Sequence, residues 1–279
     1  MSALASISRR RLGLVLVGGM AVAVAGTGCG SQDGDGSVRT IKIATAAESK
    51  PLSWGAIGHT PQGYEPDVLK AINAKLPQYK FEMEGAADIA QETGLATGKY
   101  DMIAGGYFKT PERDKQFLIP DNAAGASLMK IYVRGDDTSI AGMPDLVGKR
   151  VVPVSAGGGV YKFVTQWQKG NPGKKVNIST SNAGVPYPDR LKEVQNGKYD
   201  ALILPSNLGE QTVIKEQQLN IKVSEPVSTD NTYFLIHKSG ENKKLVDGVN
   251  KVLKELREDG TLGKLSTKWF GEDETKYMK

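Results

Sequence analysis

Apolar and polar residues change their spacing repeatedly between residues 41 and 106. A short apolar run, IKIATA, is typical of a strand, and the next segment, DVLKAINAKL, places Val68, Leu69, Ile72 and Leu76 on one helical face. Alternation in YKFEMEG predicts a second strand, a helix follows in AQETGLATGK and ends at Gly98, and YDMIAGG is typical of a buried strand. This alternation of strand and helix predicts a parallel sheet covered by helices.

The same order of elements begins again after a polar segment, RGDDTS, at residues 134–139. Strands are predicted for RVVPVS, KVNIST, YDALILP and IKVSE, and helices for GVYKFVTQWQK, DRLKEVQNGK and LGEQTVIKEQ. The first of these helices is expected to bury Val160, Phe163, Val164 and Trp167. Two such units in tandem predict two lobes rather than one enlarged sheet.

The C-terminal part contains one more predicted strand, YFLIHK at residues 233–238, and is otherwise helical. Its helical spacing predicts a buried face made of Leu245, Val249, Val252, Leu253 and Leu256. This part is too small to fold alone, so we expect it to pack on one lobe, with the chain crossing between the lobes twice.

The N-terminal segment has the pattern of an export signal. SRRR is followed by the apolar run LGLVLVGGMAVAVA, which is too short to cross a bilayer comfortably, and then by GTGC, which ends at Cys29, the only cysteine. A single cysteine cannot form an intramolecular disulfide. The pattern resembles a bacterial lipoprotein signal, in which that cysteine is acylated, although Gly26 stands where an aliphatic residue is usual. SRRR before Leu12 also resembles a twin-arginine export motif, so the export route stays open.

We therefore expect a signal peptide at residues 1–28 and a flexible, polar tether at residues 29–38, with a lipid on Cys29. The formal charge of +5 falls to +2 without Arg9, Arg10 and Arg11, which gives no basis for a nucleic-acid partner. The only two histidines, His59 and His237, are too scattered for a metal site of ordinary ligand spacing, so we expect no metal. We also expect no cofactor.

Several segments, taken in order, resemble the polar amino-acid family of periplasmic solute-binding proteins of ABC importers. They are GYEPDVLKAI, LATGKYDMIAGGYFKTPER, DLVGKRVVPV, NGKYDALILP and LREDGTLGKLSTKWFG. The resemblance implies an α/β, two-lobed type II (Venus-flytrap) fold, each lobe a parallel-rich sheet flanked by helices, with two hinge strands. It places residues 39–132 and 232–279 in lobe 1 and residues 133–231 in lobe 2. It also implies a monomer outside the cytoplasm that holds a ligand in the cleft and delivers it to a membrane permease.

The segment GGYFKTPER carries the first group of candidate ligand contacts: Gly106, Tyr107, Phe108 and Arg113. The planar guanidinium of Arg113 fits a carboxylate, and the resemblance implies that it grips the carboxylate of the ligand. The alternative is a surface arginine that pairs with an acid such as Asp114. Glycine lets a ligand approach free peptide groups, or simply makes a tight turn. Phe108 departs from the family, which usually has Ser or Thr there.

The second group lies in SAGGG, between a predicted strand and helix, and consists of Ser155, Gly157 and Gly158. Peptide N–H groups at a helix N-terminus bind anions. The spacing matches neither a dinucleotide fingerprint nor a nucleophile elbow. The resemblance places Gly157 and Gly158 where hydroxyls usually contact the carboxylate of the ligand.

Pro205 is the most informative departure, because the resemblance places there an Asp that accepts the ammonium group of the ligand. Glu48 and Trp54 are the candidates to replace it, since a carboxylate and an indole face suit a cation. Their alternatives are a solvated loop acid and simple core packing.

The expected ligand is a small polar amino acid, or an amino-acid-like zwitterion or carboxylate without a primary ammonium group. Two other functions stay open on the same scaffold. One is a dehydratase-like enzyme, for which Glu48 is the only attractive acid or base. The other is a lipoprotein that senses a ligand.

Overall fold

The computed structural model describes residues 38–154, 158–180, 186–206 and 208–279. Its strands are β1 (Arg39–Ala46), β2 (Glu48–Ser49), β3 (Ser53–Trp54), β4 (Tyr79–Ala86), β5 (Met102–Tyr107), β6 (Phe117–Leu118), β7 (Gly125–Arg134), β8 (Ala201–Pro205), β9 (Ile221–Val223) and β10 (Ser228–His237). Its helices are α1 (Tyr64–Lys75), α2 (Asp88–Ala96), α3 (Pro111–Gln116), α4 (Gly159–Gly170), α5 (Tyr187–Gln195), α6 (Glu210–Glu216), α7 (Lys243–Glu258) and α8 (Thr261–Phe270). Short 3-10 turns cover Met143–Leu146 and Glu274–Tyr277.

The strands of the N-terminal half form a parallel sheet. β1 lies between β4 and β5 and runs parallel to both. Successive residues of β5 face opposite sides of the sheet. Met102 and Ala104 pack in a cluster with α1 and α7, whereas Ile103 packs with Leu95 of α2. Helices therefore cover both faces, and the parallel sheet predicted for this half is confirmed.

The C-terminal helices complete the same half of the molecule. α7 buries the five residues predicted from its spacing, and they share a cluster with Ile41 and Ile43 of β1. In α8, Leu262 and Phe270 join this cluster, and the ring of Phe270 lies 5.0 Å from that of Tyr64. The C-terminal part thus packs on the elements of the N-terminal half.

Two ten-residue strands, β7 and β10, join the halves of the sheet. They pair antiparallel, with Ser228 opposite Met129 and Thr232 opposite Gly125. β10 then continues along β5, while β7 continues along β8 and β9. Hydrogen bonding runs without a break from β4 to β8. β7 and β10 correspond to the two expected crossings of the chain, although the sequence analysis predicts no strand at residues 125–134.

The second half differs from the prediction in its strands. β8 and β9 are antiparallel to β7, and the segments RVVPVS and KVNIST do not form regular strands in their described parts. One reason is Pro153, which has no N–H to donate to a ladder. What remains is a parallel bridge between Val151 and Ala201 and a bond of 2.9 Å from the N–H of Val154 to the carbonyl of Ser179.

The apolar pattern of these segments is nevertheless correct, because it predicts burial even where it does not predict hydrogen bonding. Val151 and Val176 are buried in one cluster with Ile131 of β7. Of the four residues expected to be buried in α4, Val164 is fully buried, and Val160, Phe163 and Trp167 are partly buried against the same cluster.

A buried carboxyl cluster lies where the C-terminal turn meets β7. It consists of Glu210 of α6 and Glu274 of the last 3-10 turn, each 1% exposed, with the hydroxyls of Tyr132 and Ser206 beside them. Burial is the main cause that raises the pKa of Glu210 from 4.5 to about 7 and that of Glu274 from 4.5 to about 8. Among the described residues, neither oxygen of Glu274 makes a hydrogen bond of normal geometry.

These shifts predict that the protein loses stability as the pH rises. The folded state keeps protons that the unfolded state loses near 4.5, so the stabilisation is complete below that pH and is lost as the pH passes the raised pKa of about 8. Within this window, one such carboxyl lowers the free energy of unfolding by up to about 1.4 kcal/mol per pH unit. In urea unfolding between pH 5 and 9, Glu274→Gln is expected to match the wild type at pH 5 and exceed it at pH 9. Glu258→Gln, on an exposed helix face, is the control. A Glu274→Gln profile parallel to the wild type would contradict this assignment.

Candidate functional site

The end of β5 turns sharply and brings Arg113 back over the strand that precedes it. Gly106 has φ 67°, in the left-handed region that favours glycine. Pro111 begins α3, and the hydroxyl of Thr110 caps it by accepting the N–H of Arg113 at 3.2 Å. The sequence GGYFKTPER therefore encodes a strand end, a turn and a capped helix that fix the backbone of Arg113.

The guanidinium of Arg113 has three partner residues, Glu92 of α2 and the consecutive Tyr107 and Phe108. Nη2 donates to Oε1 of Glu92 at 2.6 Å, and Nε lies 3.5 Å from Oε2 of the same carboxylate. Nη1 donates to the carbonyl of Phe108 at 3.0 Å. The guanidinium carbon also lies 4.8 Å from the ring centre of Tyr107, a cation-π distance. The side chain is 23% exposed, so it is held in place without being sealed from solvent.

These contacts leave donors for a ligand. A guanidinium has five N–H groups, and three are directed at Glu92 and Phe108. One N–H remains on each terminal nitrogen, and a carboxylate accepts two such bonds in a bidentate pair. The alternative of an arginine paired with an acid is borne out in part, because Arg113 does pair with an acid, but that acid is Glu92, and Asp114 lies 3.6 Å from Lys109. The arrangement is a guanidinium fixed on two sides, with two N–H groups that these contacts do not use.

Tyr107 and Phe108 support Arg113 in different ways. The ring of Tyr107 is buried, its hydroxyl donates to Oε1 of Gln91 at 3.0 Å, and its backbone lies opposite Tyr233 of β10. Tyr107 is thus a fixed platform under the guanidinium. The side chain of Phe108 is 42% exposed, and its backbone carbonyl accepts from Arg113.

The peptide N–H of Gly106 was expected to be free for a ligand, but it has a partner within the protein. It donates to Oε1 of Glu65, in the first turn of α1, at 3.0 Å. Glu65 is fully buried, and burial raises its pKa from 4.5 to about 8, against the opposing effect of the N–H groups of Gly106 and Gly105. Sequence reasoning missed this residue. Its only signal is an acid among the apolar residues that begin α1.

Glu48 and Trp54 lie opposite each other in the β2–β3 pair. Glu48 is exposed. Trp54 is partly buried and packs edge-on against Trp269 of α8, with ring centres 5.3 Å apart at 81°. Lys50 holds its ammonium 5.4 Å from the ring of Trp54. The packing alternative therefore describes Trp54 well, and a cation of the protein itself already lies near the indole.

The contacts expected from the second half are described only in part. Gly158 precedes α4 with extended backbone, whereas Ser155 and Gly157 lie outside the described residues. Pro205 is the last residue of β8, opposite Met129 of β7. In sum, the structure joins Arg113 to Glu92, Tyr107 and Phe108, and Gly106 to Glu65.

Known proteins resemble this chain over most of its length. The sequence profile of the bacterial extracellular solute-binding proteins, family 3, matches residues 41–272. The chain belongs to this family. It is 31% identical over 273 residues to an L-cystine-binding protein, TcyJ, of Bacillus subtilis, covering 96% of this chain and 97% of the relative. It is 29% identical over 256 residues to a second, TcyK, of the same organism, covering 89% and 91%.

The solved structures lead to the same fold. A probable amino-acid ABC transporter extracellular-binding protein, ytmK, of Bacillus subtilis superposes with a TM-score of 0.72 at 27% identity, covering 85% of this chain and 99% of that one. The two-lobed type II fold expected from the sequence is therefore confirmed. The chain is the extracytoplasmic, solute-binding component of an ABC importer for a polar amino acid, and its partner is a permease. The family binds solutes and does not transform them, so the enzyme alternative is set aside.

Within residues 38–154, 158–180, 186–206 and 208–279, no helix combines the length and apolar character needed to cross a membrane. In the same ranges, no group of three or more His, Cys, Asp or Glu side chains is arranged to hold a metal ion.

The contact between Glu65 and Gly106 predicts a selective loss of stability. Glu65→Ala leaves the N–H of Gly106 without its acceptor and removes a buried side chain, which is expected to cost about 1–3 kcal/mol or more. Glu65→Gln keeps an acceptor oxygen and is expected to stay near the wild type at pH 6. Urea unfolding of the three proteins at that pH measures the difference. Equal losses in Ala and Gln would show that the hydrogen bond is not the cause.

Proposed function

We propose that the protein captures its amino acid by binding the α-carboxylate on Arg113, and that L-cystine is the first ligand to test. The observation that carries the proposal is the pair of remaining donors on a guanidinium already fixed by Glu92, Tyr107 and the carbonyl of Phe108. A fixed guanidinium loses little side-chain freedom when a ligand binds, which favours affinity.

The identity of the ligand rests on different support. Both Bacillus subtilis relatives described above are named as L-cystine-binding proteins. Pro205 and Phe108 stand where the resemblance places an Asp and a hydroxyl. These departures favour, as the competing class, cyclic or methylated zwitterions that lack a primary ammonium group.

The proposed capture involves both lobes. We place lobe 1 at residues 39–132 and 232–279 and lobe 2 at residues 133–231, with the paired segments of β7 and β10 as hinge strands. Closure would bring Gly158 and Pro205 of lobe 2 toward the carboxylate held by Arg113. Ligand contacts from both lobes would stabilise the closed form that the permease receives.

Removing the guanidinium is expected to abolish binding without unfolding the protein. Arg113→Ala should weaken binding of the best ligand by about 100-fold or more, because the charge-paired contact with its carboxylate is lost, and Arg113→Lys should recover only part of it. The measurement is calorimetric titration with L-cystine, polar L-amino acids, and betaine- and ectoine-like zwitterions. Thermal unfolding confirms folding, and a ligand at a thousand times its dissociation constant adds roughly 4 kcal/mol to stability.

Arg134→Ala, at the exposed end of β7, is the matched control and should bind as the wild type does. A folded Arg113→Ala protein that keeps its affinity would end the carboxylate proposal. Binding only of compounds without a primary ammonium group would instead favour the competing ligand class.

We also propose that the mature protein is a monomer held at the outer face of the membrane by a lipid on Cys29, after removal of residues 1–28. The support is the signal pattern that ends in GTGC. A polar tether would then let the lobes reach the permease.

Replacing the acylated thiol is expected to release the protein from the membrane. Cys29→Ala should move it from the membrane fraction to the soluble fraction of expressing cells, because the lipid then has no attachment site. Ser31→Ala, two residues further on, is the control and should stay with the membrane. Membrane retention of Cys29→Ala, or an unmodified Cys29 in mass spectra of the wild type, would contradict the anchor.

A further inference from the structure

Glu92 is the acid that lies against the proposed carboxylate receptor. It projects from α2 and meets the Nε and Nη2 side of Arg113, with Oε1 held at 2.6 Å and Oε2 at 3.5 Å. Its side chain is 41% exposed, more than the 23% of Arg113 itself. The carboxylate therefore borders the guanidinium on one side and solvent on the other.

This contact changes the charge that a ligand meets. Arg113 alone would attract any anion, but Arg113 with Glu92 is a neutral pair. A carboxylate has about four lone-pair sites, and Oε2 of Glu92 is held only at long distance. A ligand that brings a carboxylate and a cation together satisfies both halves of the pair. A ligand that brings only negative charge is repelled by Glu92.

The neighbouring acids are less suitable. Asp114 is close to Lys109. Glu65 is fully buried and accepts the N–H of Gly106. Glu48 lies opposite Trp54 in the β2–β3 pair. Pro205 has no acidic group. Among the described residues, Glu92 is the acid in contact with the guanidinium of Arg113.

We infer that Glu92 accepts the α-ammonium group of the ligand and thereby selects α-amino acids over carboxylates that lack an amine. In an α-amino acid the ammonium group is on the carbon next to the carboxylate, so a ligand whose carboxylate binds the terminal nitrogens of Arg113 can turn its ammonium group to the Nη2 side, where Glu92 lies. This inference rests on the proposed function and deepens it. It supplies the acid that position 205 lacks, from lobe 1 rather than lobe 2.

The test compares two compounds that differ in their amines. L-cystine and 3,3′-dithiodipropionic acid share the disulfide and both carboxylates, but only L-cystine carries ammonium groups. Both are titrated calorimetrically into the wild type, Glu92→Gln and Glu112→Gln. Glu92→Gln keeps the shape of the side chain and an oxygen for Arg113. Glu112→Gln makes the same charge change beside Arg113, at an exposed position of α3, and is expected to behave as the wild type.

The wild type is expected to bind L-cystine much more tightly than 3,3′-dithiodipropionic acid. Glu92→Gln should weaken L-cystine by about tenfold to 100-fold, as for the loss of a charged hydrogen bond, and should leave the diacid unchanged or tighter. The ratio of the two affinities should collapse in this variant alone. The two compounds differ in their amines at a single pH, so the pH need not be varied.

Equal weakening of both compounds in Glu92→Gln would overturn the inference, because Glu92 would then act only by orienting Arg113. An unchanged ratio with unchanged affinities would overturn it as well. The proposed function survives either result if Arg113→Ala still abolishes binding. Failure of the wild type to bind either compound would remove L-cystine as the ligand and this inference with it.

Discussion

The antiparallel pairing of β7 with β10 is the constraint on which the rest of the structure depends. Each strand pairs with its partner over part of its length and then continues along a different neighbour, so one ladder sets the position of both halves. Packing fixes the point at which the pairing of β7 with β10 begins. The hydroxyl of Tyr64 donates to the carbonyl of Ala124 at 2.7 Å, and a Cβ on Gly125 would lie 3.1 Å from the ring of Tyr64 and 3.2 Å from Oγ1 of Thr232. A side chain at this position would require Tyr64 or Thr232 to shift by a few tenths of an ångström, so glycine suits the place where α1, β7 and β10 meet.

The arginine site inherits its geometry from this ladder. β10 places Tyr233 opposite Tyr107, and Tyr107 supports the guanidinium of Arg113. α1 and α2 complete the support, because Glu65 holds the strand end at Gly106 and Glu92 holds the side of the guanidinium. An arginine side chain loses up to about 2 kcal/mol of rotamer freedom when it is immobilised. Here the contacts with Glu92, Tyr107 and the carbonyl of Phe108 already hold it in place.

The spacing of apolar residues predicts a strand or helix well where neighbouring residues determine it. The alternation in β4 and the helical face of α7 each follow from neighbours in the sequence. The failures come from distant partners. Glu92 meets Arg113 across 21 residues and Glu65 meets Gly106 across 41, and no spacing rule links such pairs.

In β7 the buried Lys130 interrupts the apolar run, and it is tolerated because Glu272 pairs with it across the C-terminal turn. RVVPVS fails for a local reason, the missing donor of Pro153.

The pairing of Arg113 with Glu92 has a consequence for the vacant protein. Chloride, phosphate and other small anions are abundant outside cells, and a bare guanidinium in a cleft would collect them. An arginine whose charge is already balanced by a neighbouring carboxylate holds such ions weakly, since each would approach a pair without net charge. Glu92 therefore reduces the attraction that Arg113 would otherwise exert on inorganic anions, whichever solute the protein binds.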